Sequence, residues 1–371
     1  MIESTAMSEA KSQARVIELR DEGSGLDAFV VIDHELFPVA AGGTRMLPDV
    51  EPLEVARLAR AMTWKLAACG IPLAGAKAGI RFSGGDRDAV LTAYRRALEP
   101  YADAFVTGPD MGTSPADFLD ADQEPLPLWA QVYEGLGMDD LATGHGVKAA
   151  AEAALVHTGR TLDGSAVAIE GFGKVGAGTA RACARAGARI VGVSTVNGLL
   201  ADSHGLDVEE LLALRARHGD QFVERGPLPV RPSDELFELE CDVLVPGARP
   251  DSITAGVARR VRCAAVAPAA NIPYGDGAAE ILGERGIVAV PDFIANSGGV
   301  HLYATVDADA HPGSALDVIE GIVRAAVSRV LATADELAVT PLAAALREAR
   351  AYLVEATAAP TAVLDELVPA P

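Results

Sequence analysis

Residues 166–176 read AVAIEGFGKVG, an apolar run that ends in three glycines with the spacing GxGxxG. A second apolar run, RIVGVS, follows at residues 189–194. A glycine motif that follows a strand and opens a helix is typical of a dinucleotide-binding fold. We expect Gly171 to allow a tight turn, Gly173 to let the backbone approach a pyrophosphate, and Gly176 to let helix and strand pack closely. The predicted cofactor-binding turn also contains Phe172, Lys174 and Val175.

The end of the second predicted strand lacks the acidic residue that would bind the adenosine ribose hydroxyls of such a cofactor. Ser194 and Thr195 stand there instead. Their hydroxyl groups could accept a 2′-phosphate, or tolerate a cofactor without one. The sequence therefore leaves NAD and NADP both open, and slightly favours NADP or the use of both.

Apolar runs rich in Val, Ile and Ala alternate with helical segments after residue 164. This alternation indicates a parallel sheet with helices on both faces. We therefore predict a Rossmann-type, doubly wound dinucleotide-binding domain over residues 146–310. Asn271 and Asn296 follow predicted strands, at the sheet edge where ligands bind, and Thr143 precedes a predicted helix. Each is a candidate cofactor contact, and each also has an ordinary interpretation as a turn or capping residue.

The part of the chain before this domain has strands and helices of its own. Three strand-like runs lie between Arg15 and Arg45, and a fourth, AFVTG, lies at residues 104–108. Helical patterns cover residues 51–68 and 86–101. We predict an α/β domain with a separate mixed sheet over residues 1–145, and helices with a loose tail over residues 311–371.

Lysine is rare in this chain, since only five of the 31 basic residues are lysines. Lys65 and Lys77 both lie within Ala61–Ile80, a stretch that holds no other charge. Arg cannot give up its proton in a protein, whereas a desolvated Lys can. This pattern predicts one ammonium group that holds an anion and one amine that moves a proton. Two lysines that extend from a partly buried loop into solvent are the plainer alternative.

Two other charged residues of the first domain are candidates for chemistry. Asp110 follows a predicted strand in TGPDMGT, where its carboxylate could pass a proton near Lys77 or merely cap a turn. Arg45 lies in GGTRM and could be structural or could help to bind a carboxylate.

The composition excludes several kinds of partner. A formal net charge of −21 argues against binding to nucleic acid or to an anionic membrane surface. No apolar run reaches the roughly 18 residues needed to span a bilayer, and the N-terminal residues lack a signal-peptide pattern. The four cysteines and seven histidines show no metal-ligand spacing. We expect a cytoplasmic protein without a structural metal.

Taken together, the motifs resemble the Glu/Leu/Phe/Val dehydrogenase family. The resemblance extends from about residue 28 to about residue 355, with the motifs in family order. They are GGTRM (42–46), MTWK (62–65), PLAGAKAGI (72–80), GPDMGT (108–113), ATGHGV (142–147), GFGKVG (171–176), AAN (269–271) and PDFIANSGGV (291–300).

The resemblance implies a substrate domain, then a Rossmann-type domain, a cleft between them, and C-terminal helices that fold back on the first domain. It implies that Lys65 holds the substrate α-carboxylate, that Lys77 is the general base for water, and that Asp110 passes protons to and from the amine. Hydride transfer to NAD or NADP and a closed homo-oligomer are also implied. The motifs place Ala41, Gly43, Arg45, Asn296 and Val300 at the substrate, and Thr143, Ala269, Asn271 and Asn296 at the cofactor.

The sequence departs from the family pattern at three positions, which are Thr195, described above, and two positions that differ from the glutamate branch. Ala41 replaces the lysine that pairs with the substrate side-chain carboxylate, and an unpaired buried carboxylate would be costly. His145 replaces an arginine that is common in that branch. On the other hand, PLAGAKAGI is close to the glutamate form.

We therefore predict reversible, NAD(P)-dependent oxidative deamination of an L-amino acid to its 2-oxo acid and ammonia. An apolar or aromatic side chain is favoured. Glutamate dehydrogenase is the alternative within the class. A catalytically silent, dinucleotide-binding regulatory paralogue is an alternative from another class. A dehydrogenase of 2-hydroxy acids would require a His–acid pair rather than two lysines.

Overall fold

The chain divides into two α/β units in a computed structural model, which describes residues 14–119 and 125–358. One unit lies within Met1–Leu126 and Leu346–Pro371, and the other is Pro127–Ala345. The predicted loose tail at residues 359–371 lies outside the described residues.

The first unit contains a five-stranded mixed sheet with two helices from the N-terminal part of the chain. The sheet order is β1-β2-β4-β3-β5, with β3 parallel to β4 and β5, and the pairs β1/β2 and β2/β4 antiparallel. The mixed sheet predicted from the sequence is confirmed. The elements are β1 (Arg15–Asp21), β2 (Leu26–Ile32), β3 (Ala40–Leu47), α1 (Pro52–Ala68), β4 (Ala74–Arg81), α2 (Arg87–Leu98) and β5 (Phe105–Pro109).

The central strand β4 was not predicted, because its sequence AGAKAGIR lacks the bulky β-branched residues of a typical strand. Its glycines instead allow close packing. A Cβ atom at position 75 would lie 2.2 Å from the backbone nitrogen of Thr63 and 2.3 Å from the carbonyl oxygen of Ala59. Glycine at this position therefore lets α1 lie directly on β4. As a result, Lys77 lies in the middle of a buried strand rather than in a loop.

The second unit contains a six-stranded sheet in the order β10-β9-β8-β11-β12-β13. All neighbouring strands are parallel except β9 and β10, which form an unpredicted antiparallel hairpin. The strands of this sheet are β8 (Ala166–Glu170), β9 (Arg189–Thr195), β10 (Gly198–Ala201), β11 (Val243–Pro246), β12 (Ala265–Val266) and β13 (Val288–Ala289). A separate hairpin in the same unit consists of β6 (Val132–Tyr133) and β7 (Leu136–Gly137).

Helices cover both faces of this sheet. Along β8, Val167 and Ile169 pack into one apolar core, and Ala166 and Ala168 pack into the other. Full burial of a Val or Ile side chain stabilises the fold by roughly 1.5–3 kcal/mol. The doubly wound, Rossmann-type prediction is confirmed. The helices of the second unit are α3 (Met138–His157), α4 (Lys174–Arg185), α5 (Val208–His218), α6 (Ala255–Arg260), α7 (Ala278–Glu284), α8 (Asp292–Ala295), α9 (Gly298–Ala304) and α10 (Pro312–Leu337). The last helix, α11 (Pro341–Thr357), begins in this unit and ends in the first.

The boundaries of the two units differ from the predicted domain boundaries at residues 145 and 310, since the second unit begins at Pro127 and ends at Ala345. Helix α3 is continuous from Met138, so Thr143 lies within this helix, whereas its sequence context predicts a position before it. Gly144 and Gly146 weaken helix propensity, but here they permit close contact. A Cβ atom at Gly144 would lie 2.6 Å from the Thr179 nitrogen of α4, and one at Gly146 would lie 3.3 Å from the Gly298 nitrogen.

The two C-terminal helices divide between the units. Helix α10 packs against α3 in the second unit, which differs from the predicted packing on the first domain. From Leu346 onwards, α11 belongs to the first unit. There Tyr352 lies beside the C-terminal end of α1, 3.9 Å from the position that a Cβ atom at Gly70 would occupy.

Candidate active site

A buried ion pair between Lys77 and Asp110 is the centre of the candidate site in the first unit. Lys77 lies on β4 and is only 5 % exposed. Asp110 follows β5 directly. The Lys77 Nζ atom lies 2.9 Å from the Asp110 Oδ2 atom. The two residues that the sequence analysis assigned to proton movement are therefore in direct contact.

Arg45 joins this pair from the neighbouring strand β3. Its Nε atom donates to the Asp110 Oδ2 atom at 3.2 Å, so that one carboxylate oxygen accepts from both Lys77 and Arg45. The guanidinium also donates to the carboxylate of Glu54 in the first turn of α1. The cluster thus contains two cations and two carboxylates, from four segments of the unit.

The loop that carries Asp110 is fastened to β3 by hydrogen bonds. The Asp110 backbone N–H donates to Thr113 Oγ1 at 2.9 Å, and this hydroxyl donates to the Thr44 carbonyl at 2.9 Å. The Met46 N–H donates to the Met111 carbonyl at 2.8 Å. These bonds hold the carboxylate at a defined position next to the central strands.

The turn within this loop requires glycine. Gly112 has a φ of +79°, and a Cβ atom there would lie 1.9 Å from the Met46 carbonyl oxygen. Both the left-handed backbone and the close approach to β3 exclude a side chain at this position.

The charges around Asp110 determine its protonation. Burial by itself would raise the pKa of the carboxyl group, but the charges of Lys77 and Arg45 outweigh burial. The hydrogen bonds from Lys77 and from the Met111 N–H act in the same direction. Together they hold the pKa of Asp110 well below its usual range, so this carboxylate is ionised at neutral pH.

The other predicted substrate residues divide between the two units. Ala41, Gly43 and Arg45 are two positions apart along β3 and therefore lie on the same face of this strand. A Cβ atom at Gly43 would lie 3.1 Å from the Asp110 Cβ atom and 3.4 Å from the Lys77 Nζ atom, so Gly43 lines the ion pair. Lys65 is 6 % exposed in the last turn of α1. Asn296 and Val300 belong to the second unit.

The glycine turn of the second unit connects β8 to α4. Gly171 has a φ of +84°, and a Cβ atom there would lie 3.0 Å from the Gly247 carbonyl carbon. A Cβ atom at Gly176 would lie 1.9 Å from the Gly171 carbonyl oxygen. These two glycines are therefore required by the turn and by the approach of the helix to the strand, as their spacing suggested.

Gly173 differs from these two glycines because nothing lies within 4 Å of the position that its Cβ atom would occupy. It is the N-cap of α4, and no side chain caps the helix there. The backbone N–H groups of Lys174 and Val175 begin the helix next to this open space. Uncapped N–H groups at a helix N-terminus suit a phosphate anion. The residues therefore fit the pyrophosphate of a dinucleotide, while the buried Phe172 side chain packs on Phe222 in the core.

Ser194 and Thr195, at the end of β9, form hydrogen bonds with other residues of the protein. The N–H groups of Gly171 and Phe172 donate to the Ser194 carbonyl at 3.0 and 3.1 Å. The Thr195 hydroxyl donates to the Asp220 carbonyl at 3.3 Å and accepts from the Asn197 N–H at 3.1 Å. Ser194 thus supports the glycine turn through its backbone, and its side chain is buried.

Asn296 ties the segment between α8 and α9 to the loop after β12. Its Nδ2 atom donates to the Ala270 carbonyl at 2.9 Å and to the Ala269 carbonyl at 3.3 Å, and it lies 3.4 Å from the Asn271 Oδ1 atom. The predicted residues of the AAN and ANSGG motifs are therefore adjacent. Near α9, a Cβ atom at Gly299 would lie 3.0 Å from the Thr143 hydroxyl oxygen.

Glu54 was missed by the sequence analysis. A glutamate in the first turn of a helix already has an ordinary explanation, because it interacts favourably with the helix dipole. Glu54 lies nine positions after Arg45, with the end of a strand and the start of a helix between them. No local periodicity therefore signals the contact between the two side chains.

Two absences apply to residues 14–119 and 125–358. Within these ranges, no group of three or more His, Cys, Asp or Glu side chains is arranged to hold a metal ion. Nor does any helix in these ranges combine the length and apolarity needed to cross a membrane.

Comparison with protein families gives two matches that together cover most of the chain. The model described as Glutamate/Leucine/Phenylalanine/Valine dehydrogenase matches residues 135–359. The model described as Glu/Leu/Phe/Val dehydrogenase, dimerisation domain, matches residues 11–119. Among curated proteins, glutamate dehydrogenase A2 of Halobacterium salinarum is 33 % identical over 288 residues, which cover 70 % of this chain and 66 % of that protein. The chain thus spans just under two thirds of the length of that relative.

Solved structures share the fold. A hetero-hexameric glutamate dehydrogenase from Thermus thermophilus, in a Leu-bound form, matches with a TM-score of 0.79 and 26 % identity, over 93 % of this chain and 88 % of that chain. L-tryptophan dehydrogenase from Nostoc punctiforme matches with a TM-score of 0.65 and 22 % identity, over 94 % of this chain and 98 % of that chain. The second likeness concerns the fold alone.

Proposed function

The chain belongs to the Glu/Leu/Phe/Val dehydrogenase family, and we propose that it catalyses the NAD(P)-dependent, reversible oxidative deamination of an L-amino acid. The products are the 2-oxo acid and ammonia. The observation that carries this proposal is the buried contact between Lys77 and Asp110. An amine and a carboxylate that touch in a largely dry environment are suited to moving protons between a substrate amine and water.

Each of three residues has a separate role in the proposed reaction. Lys65 holds the substrate α-carboxylate through its ammonium group. Lys77, in its neutral amine form, acts as the general base that takes a proton from the water attacking the imino carbon. Asp110, ionised at neutral pH, accepts and returns protons at the amino nitrogen. Gly43 leaves the space beside Lys77 Nζ that a substrate needs.

A nicotinamide cofactor, when bound, supplies the acceptor or donor of hydride. We propose that the turn from Gly171 to Gly176 holds its pyrophosphate through backbone N–H groups, with Phe172, Lys174 and Val175 as part of that turn. Ser194 and Thr195 adjoin the adenosine ribose. Thr143, Ala269, Asn271 and Asn296 form the remaining cofactor contacts. NAD and NADP both stay within the proposal.

We propose that the substrate side chain is apolar or aromatic. Ala41 lies on the same face of β3 as Gly43 and Arg45, and it offers no charge to a side-chain carboxylate. Val300 and Asn296 are proposed to complete the substrate contacts. Glutamate is the second candidate. The named function of the Halobacterium salinarum relative and the glutamate-like PLAGAKAGI motif favour it.

Assays with a panel of L-amino acids and both cofactors, followed by the absorbance of the reduced cofactor, test the proposal. Turnover of leucine, phenylalanine, valine or tryptophan above glutamate is expected. Preferential turnover of glutamate would replace the proposed substrate class with the second candidate. A complete lack of turnover, together with retained cofactor binding, would favour a silent regulatory paralogue.

We further propose that the protein acts as a homo-oligomer in the cytoplasm, with small-molecule substrates. The match of residues 11–119 to a domain described as a dimerisation domain supports self-association. The net charge of −21 disfavours nucleic acid and anionic membranes as partners. Sedimentation of the purified chain at several concentrations measures the assembly directly, and a concentration-independent monomer would contradict it.

A further inference from the structure

The guanidinium of Arg45 lies between two carboxylates of the protein. Its Nε atom donates to Asp110 Oδ2 at 3.2 Å, and another of its nitrogens donates to Glu54. The Arg45 side chain is only 6 % exposed, whereas that of Glu54 is 37 % exposed. Arg45 therefore connects a half-exposed carboxylate at the start of α1 to the buried carboxylate of the candidate active site.

This arrangement does not suit a residue that binds the substrate carboxylate. A substrate anchor needs guanidinium N–H groups directed at the ligand, often two in parallel. In Arg45, the Nε atom and a terminal nitrogen are both directed at protein carboxylates. Lys65, by contrast, is the buried cation that the proposed function assigns to the substrate.

We propose that Arg45 and Glu54 form a positioning pair for Asp110, in which Glu54 orients Arg45 and Arg45 holds the Asp110 carboxylate in place beside Lys77. This inference rests on the proposed function and replaces the predicted role of Arg45 at the substrate. Asp110 is the residue that acts on substrate protons, and Arg45 and Glu54 act only through it.

Two physical consequences separate positioning from a merely structural contact. First, Asp110 Oδ2 accepts from Lys77 and Arg45 at once, so removal of Arg45 leaves the carboxylate held only by Lys77 and by the Met111 N–H. Second, the charged groups that face Asp110 are Lys77 on β4 and Arg45 on β3, with Glu54 on α1 behind Arg45. Loss of one of the two cations raises the pKa of Asp110 towards its usual value.

The test compares the pH dependence of kcat and the KM of the full-length protein with those of R45Q, R45K and E54Q. The control is E51Q, since Glu51 is an exposed residue that pairs with Arg81 at 3.3 Å, next to the start of the same helix. We expect R45Q to lower kcat by about 100-fold with little change in KM, because small displacements of a catalytic group have effects of this size. The acidic limb of the profile should move to higher pH in R45Q.

The milder variants keep the inference testable if R45Q does not fold. R45K retains the charge without the forked geometry, so we expect a lower kcat with a smaller shift of the acidic limb. E54Q changes a half-exposed side chain and should lower kcat by about 10-fold, with E51Q unchanged. In the double variant R45Q/E54Q, the losses should be less than multiplicative, because both residues act through Asp110.

The outcomes distinguish this inference from the proposed function. A raised KM with an unchanged kcat profile in R45Q would make Arg45 a substrate anchor and overturn the positioning role. Lowered melting temperatures with unchanged kinetics would make the pair merely structural, which also overturns it. No turnover by the wild-type protein with any amino acid would overturn the proposed function and this inference together.

Discussion

Gly43 and Lys77 lie so close that a Cβ atom at position 43 would be 3.4 Å from the Lys77 Nζ atom. The same atom would lie 2.8 Å from the Pro109 carbonyl oxygen, which belongs to the backbone and cannot move freely. Glycine at this position therefore keeps open the space above the ammonium group, where the proposed reaction takes place.

The substitution Gly43→Ala is expected to lower kcat by at least about 100-fold, because the added methyl group displaces the Lys77–Asp110 pair. Gly321→Ala is the matched control, since nothing lies within 4 Å of its Cβ position in α10. Steady-state kinetics and thermal denaturation of both variants provide the measurement. If Gly43→Ala shows wild-type kinetics, the Lys77–Asp110 ion pair is not part of the proposed active site.

Lys77→Met is expected to abolish turnover, with a loss of at least about 100-fold, because no other group in the proposed mechanism takes the proton from water. Cofactor affinity, measured by fluorescence titration, should stay within about threefold of the wild-type value, because Lys77 belongs to the first unit and the proposed cofactor turn belongs to the second. Lys77→Arg is the informative companion, since it keeps the positive charge but cannot release its proton. An active arginine variant would show that charge alone suffices and that Lys77 is not a base.

Ala41→Lys is expected to increase activity towards glutamate relative to leucine or phenylalanine by about tenfold. The new ammonium group would lie on the face of β3 that carries Gly43 and Arg45 and could pair with a side-chain carboxylate. Ala41→Met controls for added volume without charge. Equal ratios of kcat/KM for glutamate and leucine in the wild type and the lysine variant would refute the assignment of Ala41 to the substrate pocket.

Thr195→Asp is expected to shift cofactor preference towards NAD by about tenfold in the ratio of the two dissociation constants, or about 1.4 kcal/mol. A carboxylate at the end of β9 would accept from the ribose hydroxyls of NAD and would repel a 2′-phosphate. Thr195→Val controls for loss of the hydroxyl that bonds to Asp220 and Asn197. Isothermal titration with both cofactors measures the ratio, and an unchanged ratio would place the adenosine ribose elsewhere.

Asp140 gives a prediction about stability rather than activity. Burial, and then the adjacent charge of Asp139, raise the pKa of Asp140 to about 7. The folded protein therefore retains a proton that the unfolded chain releases near pH 4. Stability is lost as pH rises from about 4 to about 7, and ionised Asp140 destabilises the fold above that range.

Asp140→Asn removes this carboxyl group, whereas Asp139, whose pKa burial also raises, stays in place. Between pH 5 and pH 8, we expect the melting temperature of this variant to fall less than that of the wild type. The difference should be about 2–4 °C for each kcal/mol of unfolding free energy that the variant retains. Asp317→Asn, the same substitution at an exposed position on α10, provides a control. Parallel pH profiles for the wild type and Asp140→Asn would contradict the raised pKa.

The glycine turn from Gly171 to Gly176 could be interpreted from sequence because Gly171 and Gly176 meet steric needs within the turn itself. Gly171 has a φ of +84°, and a Cβ atom at Gly176 would lie 1.9 Å from the Gly171 carbonyl oxygen. Spacing therefore carries most of the information. The same holds for the helical and strand patterns of the doubly wound sheet, where burial on both faces produces continuous apolar runs.

Strand β4 could not be predicted in the same way. Its small residues are selected by the α1 backbone that packs on Gly75, and α1 is brought there only by the tertiary fold. Similarly, Gly144 and Gly146 disfavour a helix locally, yet α3 extends through both because they permit contact with α4 and α9. In both cases, long-range packing overrides the local propensity.

From sequence alone, the chain determined the Rossmann-type sheet, the glycine turn from Gly171 to Gly176 and the chemical types of Lys65, Lys77 and Asp110, because these depend on local periodicity and on residue chemistry. Only the tertiary structure decided that Asp110 Oδ2 accepts from both Lys77 and Arg45, and that Glu54 reaches Arg45. The physical reason is strand register. Parallel pairing of β3 with β4 and β5 brings together residues that lie between 32 and 65 positions apart along the chain, and no local pattern encodes that alignment.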